Sequence, residues 1–160
     1  MAMQMSKQEQ TAIEKVNELV ANQGVFFVKL HQYHWYVQGP HFFTLHEKFE
    51  ELYDESNEYF DAFAERLITL GEKPYSTLGE YLDEATIQEK PYRKKLSAEE
   101  MVSNIVDDFH TLKAIANEGI TSASASGDDS TEDMLIDYVD SIDLNIWMLQ
   151  AYLGKDADEK

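Results

Sequence analysis

The 160-residue chain contains no cysteine, which excludes a disulfide framework, a thiolate metal centre and a thiol nucleophile. Any metal must therefore be held by histidine, aspartate and glutamate. Proline is confined to Pro40, Pro74 and Pro91, the places where helical periodicity breaks. No apolar run approaches a membrane span, and Met1 to Gln10 lack the basic start and apolar core of a signal peptide, so a cytoplasmic protein without membrane association is expected. Positive charge is also scarce: Lys+Arg 13 against Asp+Glu 31 give a formal charge of -18. Such a chain repels nucleic-acid phosphates and anionic lipid and attracts cations, although acidic residues also serve solubility alone.

What is present is helical. The length suits one domain, expected over 1–160 with polar, frayed ends at 1–6 and 155–160. Across 6–37, Ile13, Val16, Leu19, Val20, Phe26, Phe27, Leu30, Tyr33 and Val37 recur at helical spacing, with Ser6 and Glu9 as a capping box. After Gly39-Pro40 a second helix carries Leu45, Phe49, Leu52, Tyr59, Phe63, Leu67 and Leu70, and is closed by Gly71 and Pro74. Periodicity weakens from Gly71 to Leu96, where Leu78, Tyr81 and Leu82 predict one short helix in a long crossover. Ser97 and Glu100 cap a third helix, with Leu96 and Met101 as a hydrophobic staple; it continues on Ile105, Phe109, Leu112 and Ile115 and is expected to fade in the small residues Ser122 to Gly127. A fourth begins near Asp129, with Glu132 three residues on, and presents Leu135, Tyr138, Ile142, Ile146, Leu149 and Leu153. Four helices joined by short, long and short connections predict an all-α bundle in which the second and third helices run parallel, as in ferritin-like topology.

His31, His34, His41 and His46 crowd one window around the Gly39-Pro40 turn. His34 and His46 are equally far from Pro40, so in an antiparallel hairpin they face one another at similar height. His46 and Glu50 share one face of the second helix, and Asp61 and Glu65 form a second such pair. Acid pairs of this spacing also arise by chance on solvated surfaces, and a histidine on an amphipathic helix is more often a satisfied polar residue; the combination is what points to a metal. Asp61 lies fifteen residues beyond His46, about 22 Å along one helix, so a single chain cannot unite the pairs. A second copy packed antiparallel across a two-fold near Asp54 and Glu55 can, making two identical sites. Imidazole with carboxylate suits Fe(II), and carboxylates stabilise the ferric product.

The runs Leu30-His31-Gln32-Tyr33-His34-Trp35, Gly39, Phe42-Phe43, Leu45-His46-Glu47, and Asp61 with Ala64-Glu65-Arg66-Leu67 resemble the Dps family of miniferritins. So do Gly127-Asp128-Asp129, Asp133-Met134-Leu135 and Ile146-Trp147-Met148, and the likeness covers nearly the whole chain. The resemblance implies a hollow homo-dodecamer that oxidises Fe(II) with hydrogen peroxide or oxygen at two-fold interfaces and stores the ferric mineral. It carries His34, His46, Asp61 and Glu65 over as ligands, while Glu50 stands where the family usually has aspartate. His31 binds a second iron, hydrogen-bonds near it, or is a surface histidine. Trp35 resembles the family's site tryptophan, which donates an electron or packs at the dimer contact. Asp128, Asp129 and Asp133 cap a helix dipole and, by resemblance, line three-fold pores that draw Fe(II) inward. His41 and His110 read as structural.

Some Dps proteins bind DNA through a lysine-rich tail; here the N-terminus offers only Lys7 and Lys15, and the C-terminus is Gly154-Lys155-Asp156-Ala157-Asp158-Glu159-Lys160, so no DNA binding is expected. A single-subunit di-iron oxidase needs two Glu-x-x-His motifs, and the nearest match is Asp107-x-x-His110. A helical interaction protein with incidental histidines is the remaining alternative; it would keep its activity without its metal ligands.

Overall fold

Ser6 opens α1 (Lys7–Tyr36) as a capping box requires: its hydroxyl accepts the Glu9 N–H at 3.1 Å, and the Glu9 carboxylate accepts the Ser6 N–H at 2.6 Å. The computed structural model describes residues 3–160, so part of the polar end expected at 1–6, residues 1 and 2, lies outside the described residues. Gly39, at φ 117°, takes the backbone through the turn into α2 (Phe42–Thr69). The short crossover helix is α3 (Leu78–Glu84), capped by Thr77. Ser97 and Glu100 form the second capping box and open α4 (Ala98–Ser126), with Met101 fully buried and Leu96 packed against the core. α5 (Asp129–Tyr152) completes the chain, and among the described residues there is no strand.

Two local expectations are corrected. α4 does not fade at Ser122 but continues to Ser126, because Ser122 and Ala123 are buried and Gly127, at φ 73°, closes the helix by returning the Asp128 N–H to the Ala123 carbonyl at 2.9 Å. α5 begins at Asp129, as expected, but its cap lies one residue earlier. Asp128, rather than Asp129, accepts the N–H of Thr131 at 3.1 Å, and Glu132 is not used.

Side-chain pairings set the helix directions. Gln23 meets Ser56 and His34 meets His46, so α1 and α2 are antiparallel. Phe26 packs edge-on against Phe109, and Lys15 reaches Glu118 at 2.8 Å, so α4 is antiparallel to α1 and parallel to α2. Tyr59 and Phe63 pack on Tyr138, while Arg66 reaches Thr131, making α5 antiparallel to α2. The four long helices thus close around a core led by Phe26, Phe49, Phe63, Leu112 and Leu135.

The crossover is strapped along the outside of α1 by polar side chains. Asn17 holds the Tyr75 N–H, fully buried Asn22 accepts the N–H groups of Thr86 and Ile87 at 2.9 Å each, Lys29 donates to the Gln88 carbonyl, and Gln32 donates to that of Lys90. Gly24 makes the strap's approach possible, since a Cβ there would lie 2.9 Å from the Tyr81 ring of α3.

Candidate metal centre

The α1–α2 hairpin brings His34 and His46 together with their rings stacked, centroids 3.6 Å apart and planes 14° from parallel. Each is tied to the other's backbone: His34 Nδ1 lies 2.6 Å from the His46 carbonyl, and His46 Nδ1 lies 2.7 Å from the His34 carbonyl. A carbonyl can only accept, so each Nδ1 carries a proton, which in the neutral ring leaves the lone pair on Nε2. This is the tautomer that ligates metal, held in orientation by the second nitrogen. His34 is only 8% exposed.

His31, one turn earlier, repeats the device with its Nδ1 2.8 Å from the Phe27 carbonyl. Its ring stacks on Tyr53 at 3.7 Å, and the Tyr53 hydroxyl donates to Glu50 Oε1 at 3.2 Å. Tyr53 also meets His34 edge-on at 5.3 Å, so one phenol contacts three candidate ligands. Burial, reinforced by the Glu50 charge and hydrogen bond, pushes that phenol above its ordinary pKa and keeps it a donor. Sequence reasoning missed Tyr53. The available signal was its position three residues after Glu50 on the face that meets α1.

Asp61 and Glu65 are exposed farther along α2, and the chain does not bring them to the histidines. Among the described residues, no group of three or more His, Asp and Glu side chains converges to hold a metal ion. Trp35 is 67% exposed, with its ring 5.4 Å from His31. At the far end of the bundle, Asp128 is engaged by Arg66 at 2.9 Å and by the Thr131 hydroxyl, whereas Asp129 and Asp133 are exposed. His41 packs edge-on against Tyr152, and His110 is exposed.

The bundle interior is arranged differently. Gln23 donates to the Tyr138 hydroxyl and accepts from Ser56, and the one carboxylate lining this space, Glu55, accepts from Ser141 and Asn145. Burial pushes the Tyr138 phenol far up, and the remaining cavity of about 10 Å³ is the size of a single water at most. A di-iron centre needs several inward carboxylates and histidines, and this interior does not supply them.

A four-helix bundle strapped by a long crossover, with paired histidines at one hairpin, is the architecture of a ferritin-like protein, and residues 13–158 match the ferritin-like domain family. The DNA protection during starvation protein of Listeria innocua is 46% identical over 142 residues, covering 89% of this chain and 91% of that protein. General stress protein 20U of Bacillus subtilis is 47% identical, with 89% and 97% covered. The X-ray structure of Dps from Listeria monocytogenes superposes with a TM-score of 0.91 at 44% identity over 92% of this chain and 96% of that one. The chain belongs to the Dps family of miniferritins. Dps from Listeria innocua has been solved after soaking with cobalt, and as a variant with two histidines twelve residues apart replaced by glycine, each with a TM-score of 0.91.

Proposed function

We propose that the protein is a ferroxidase and iron store. Fe(II) is oxidised, with hydrogen peroxide or oxygen as acceptor, at sites formed by His34, His46 and Glu50 of one subunit with Asp61 and Glu65 of its neighbour, and the ferric mineral is held in a dodecameric shell. The observation that carries this proposal is the reciprocal bonding of His34 and His46, which leaves two oriented Nε2 lone pairs. The histidine pair replaced in the Listeria innocua variant has the same twelve-residue spacing, which supports the choice of residues. Iron is the substrate. Each Fe(II) gives up one electron; a pair of electrons with two protons from solvent cleaves the O–O bond of hydrogen peroxide to two waters, or reduces oxygen to hydrogen peroxide.

The side chains divide the work. His34 and His46 bind Fe(II) through neutral nitrogen, and Glu50, Asp61 and Glu65 add the negative charge that favours the harder ferric ion. Tyr53 orients Glu50, whose extra methylene relative to the usual aspartate lets it reach that hydroxyl. His31 is positioned for a second iron by its own Nδ1 hydrogen bond. Trp35, together with exposed Leu78 and Leu82, supplies apolar surface for the subunit contact that completes the site, and its ring is placed to give an electron to the oxidant. Asp129 and Asp133, with Asp128 beside them, supply the pore charge that draws Fe(II) inward.

Protection of DNA, the property in the relatives' names, follows here from removal of Fe(II) and peroxide in the cytoplasm. The charge of -18 disfavours coating of DNA. The test adds Fe(II) anaerobically, then peroxide or oxygen, and follows ferric absorbance. His34→Ala and Asp61→Ala should each lower the initial rate by about tenfold or more. Oxidation at the parent rate in both would exclude these residues as the site.

A further inference from the structure

Cations are rare in this chain, yet four of the 13 lysines and arginines, Lys90, Arg93, Lys94 and Lys95, fall within six consecutive residues of the strap before α4. Among the described residues none of these four enters an ion pair, although acids outnumber them many times. Lys90, Arg93 and Lys94 edge a cavity of about 470 Å³ between α1, the strap and α4, a volume in the range of small-molecule sites.

The walls are braced. Lys29 donates to the Gln88 carbonyl at 3.0 Å and pairs with Asp108 at 2.7 Å, and Gln32 holds the Lys90 carbonyl at 2.9 Å, so the strap is fixed to α1 with no ligand present. Lys29 also neutralises one of the two carboxylates on the α4 wall. Among the described residues Asp107 enters no ion pair. Asn104 uses its amide N–H on the Tyr33 hydroxyl at 3.1 Å, which leaves its side-chain oxygen as an acceptor. The cavity therefore has unpaired cations along one edge and hydrogen-bond acceptors on the opposite wall.

We propose that this cavity binds a small organic phosphate of nucleotide size, with the phosphate on Lys90, Arg93 and Lys94 and the hydroxyl or amino groups of the organic part on Asp107 and Asn104. A dianionic phosphate gains more from three close cations than a single carboxylate does, and the Arg93 fork matches two of its oxygens. The mixed polarity calls for a ligand that carries donors as well as the anion. At physiological ionic strength a charge is felt over about 8 Å, so an anion in the cavity senses its rim cations. A long nucleic acid would also have to cross the acidic surface around them. The proposal does not rest on the iron chemistry, although the lining residues Gln32 and Tyr33 lie between His31 and His34 on α1.

Calorimetric titration of the assembled, metal-free protein with adenosine monophosphate tests the proposal. The expected result is saturable binding of one nucleotide per chain, weakened by about tenfold or more in Arg93→Gln/Lys94→Gln and unchanged in Lys113→Gln, with adenosine not binding. Arg93 and Lys94 are exposed and make no bonds to the fold, so the double variant should melt like the parent. Absence of saturation at millimolar nucleotide, equal binding by the double variant, or equal binding of adenosine would each overturn the assignment. Retardation of duplex DNA by the parent but not by the double variant would overturn it in favour of a nucleic-acid contact.

Discussion

Glu50 reaches one methylene farther than the family's usual aspartate, and Tyr53 limits that reach by holding one of its oxygens at 3.2 Å while stacking on His31. Tyr53→Phe keeps the stack and removes only the hydroxyl. Glu50 must then be ordered by the metal itself, and the half-saturating Fe(II) concentration is expected to rise about fivefold, the equivalent of ~1 kcal/mol for one net hydrogen bond. Stopped-flow absorbance measures this, and a melting temperature within about 2 °C of the parent would separate it from a loss of fold. An unchanged half-saturation would detach Tyr53 from the site. At this scale the histidine pair was legible, because equal spacing from Pro40 places His34 and His46 opposite each other in any tight hairpin. Tyr53 was not, because a tyrosine on an amphipathic helix reads as core.

The two serine–glutamate boxes at Ser6 and Ser97 close within their own first turn, which is why the pattern found them. At the α4–α5 junction the sequence placed the start of α5 near Asp129, where it lies, but did not single out Asp128 as the cap. Asp128 caps α5 and receives Arg66 of α2, tying the end of the helix that carries Asp61 and Glu65 to the opening turn of α5. Burial alone would raise the Asp128 pKa, but hydrogen bonds from the Thr131 hydroxyl and N–H, together with the Arg66 charge, hold it below the ordinary value. A folded-state pKa below the unfolded one means that the ionised carboxylate stabilises the fold fully above about pH 4, and that this contribution is lost as pH falls through the lower folded value. Asp128→Ala is therefore expected to be about 1–2 kcal/mol less stable at pH 7, with the gap to the parent narrowing in acid. Denaturant melts at pH 7 and pH 3 check this; a gap independent of pH would leave the charge without a role.

On the scale of the whole molecule, the proposed site would tie activity to assembly, because about 22 Å of helix separates His46 from Asp61 in one chain. Mixed assemblies give a direct test. In a dimer of one His34→Ala chain and one Asp61→Ala chain, both lesions fall in one shared site and the other site is intact. Co-expressed, randomly paired subunits should then recover about a quarter of the parent ferroxidase rate, above the rate of either variant alone. Ferric absorbance on the purified mixture measures the recovery. No recovery in mixtures that mass spectrometry shows to be mixed would place the whole site within one chain.

The sequence by itself determined the helices, most of their ends and the facing histidines, because those depend on residues within a few positions of one another or on one tight turn. The acidic helix faces and the absence of cysteine likewise restricted the ligand chemistry before any packing was known. Only the tertiary structure decided where the crossover lies. Asn22 is a polar residue like any other until the strap presents the N–H groups of exposed Thr86 and buried Ile87, both of which its side-chain oxygen accepts. The basic cavity depends on the same placement, since its walls come from three elements and exist only after the strap is seated. Contacts between residues sixty positions apart leave no periodic trace, and that is why the path of the strap and the cavity had to come from the fold.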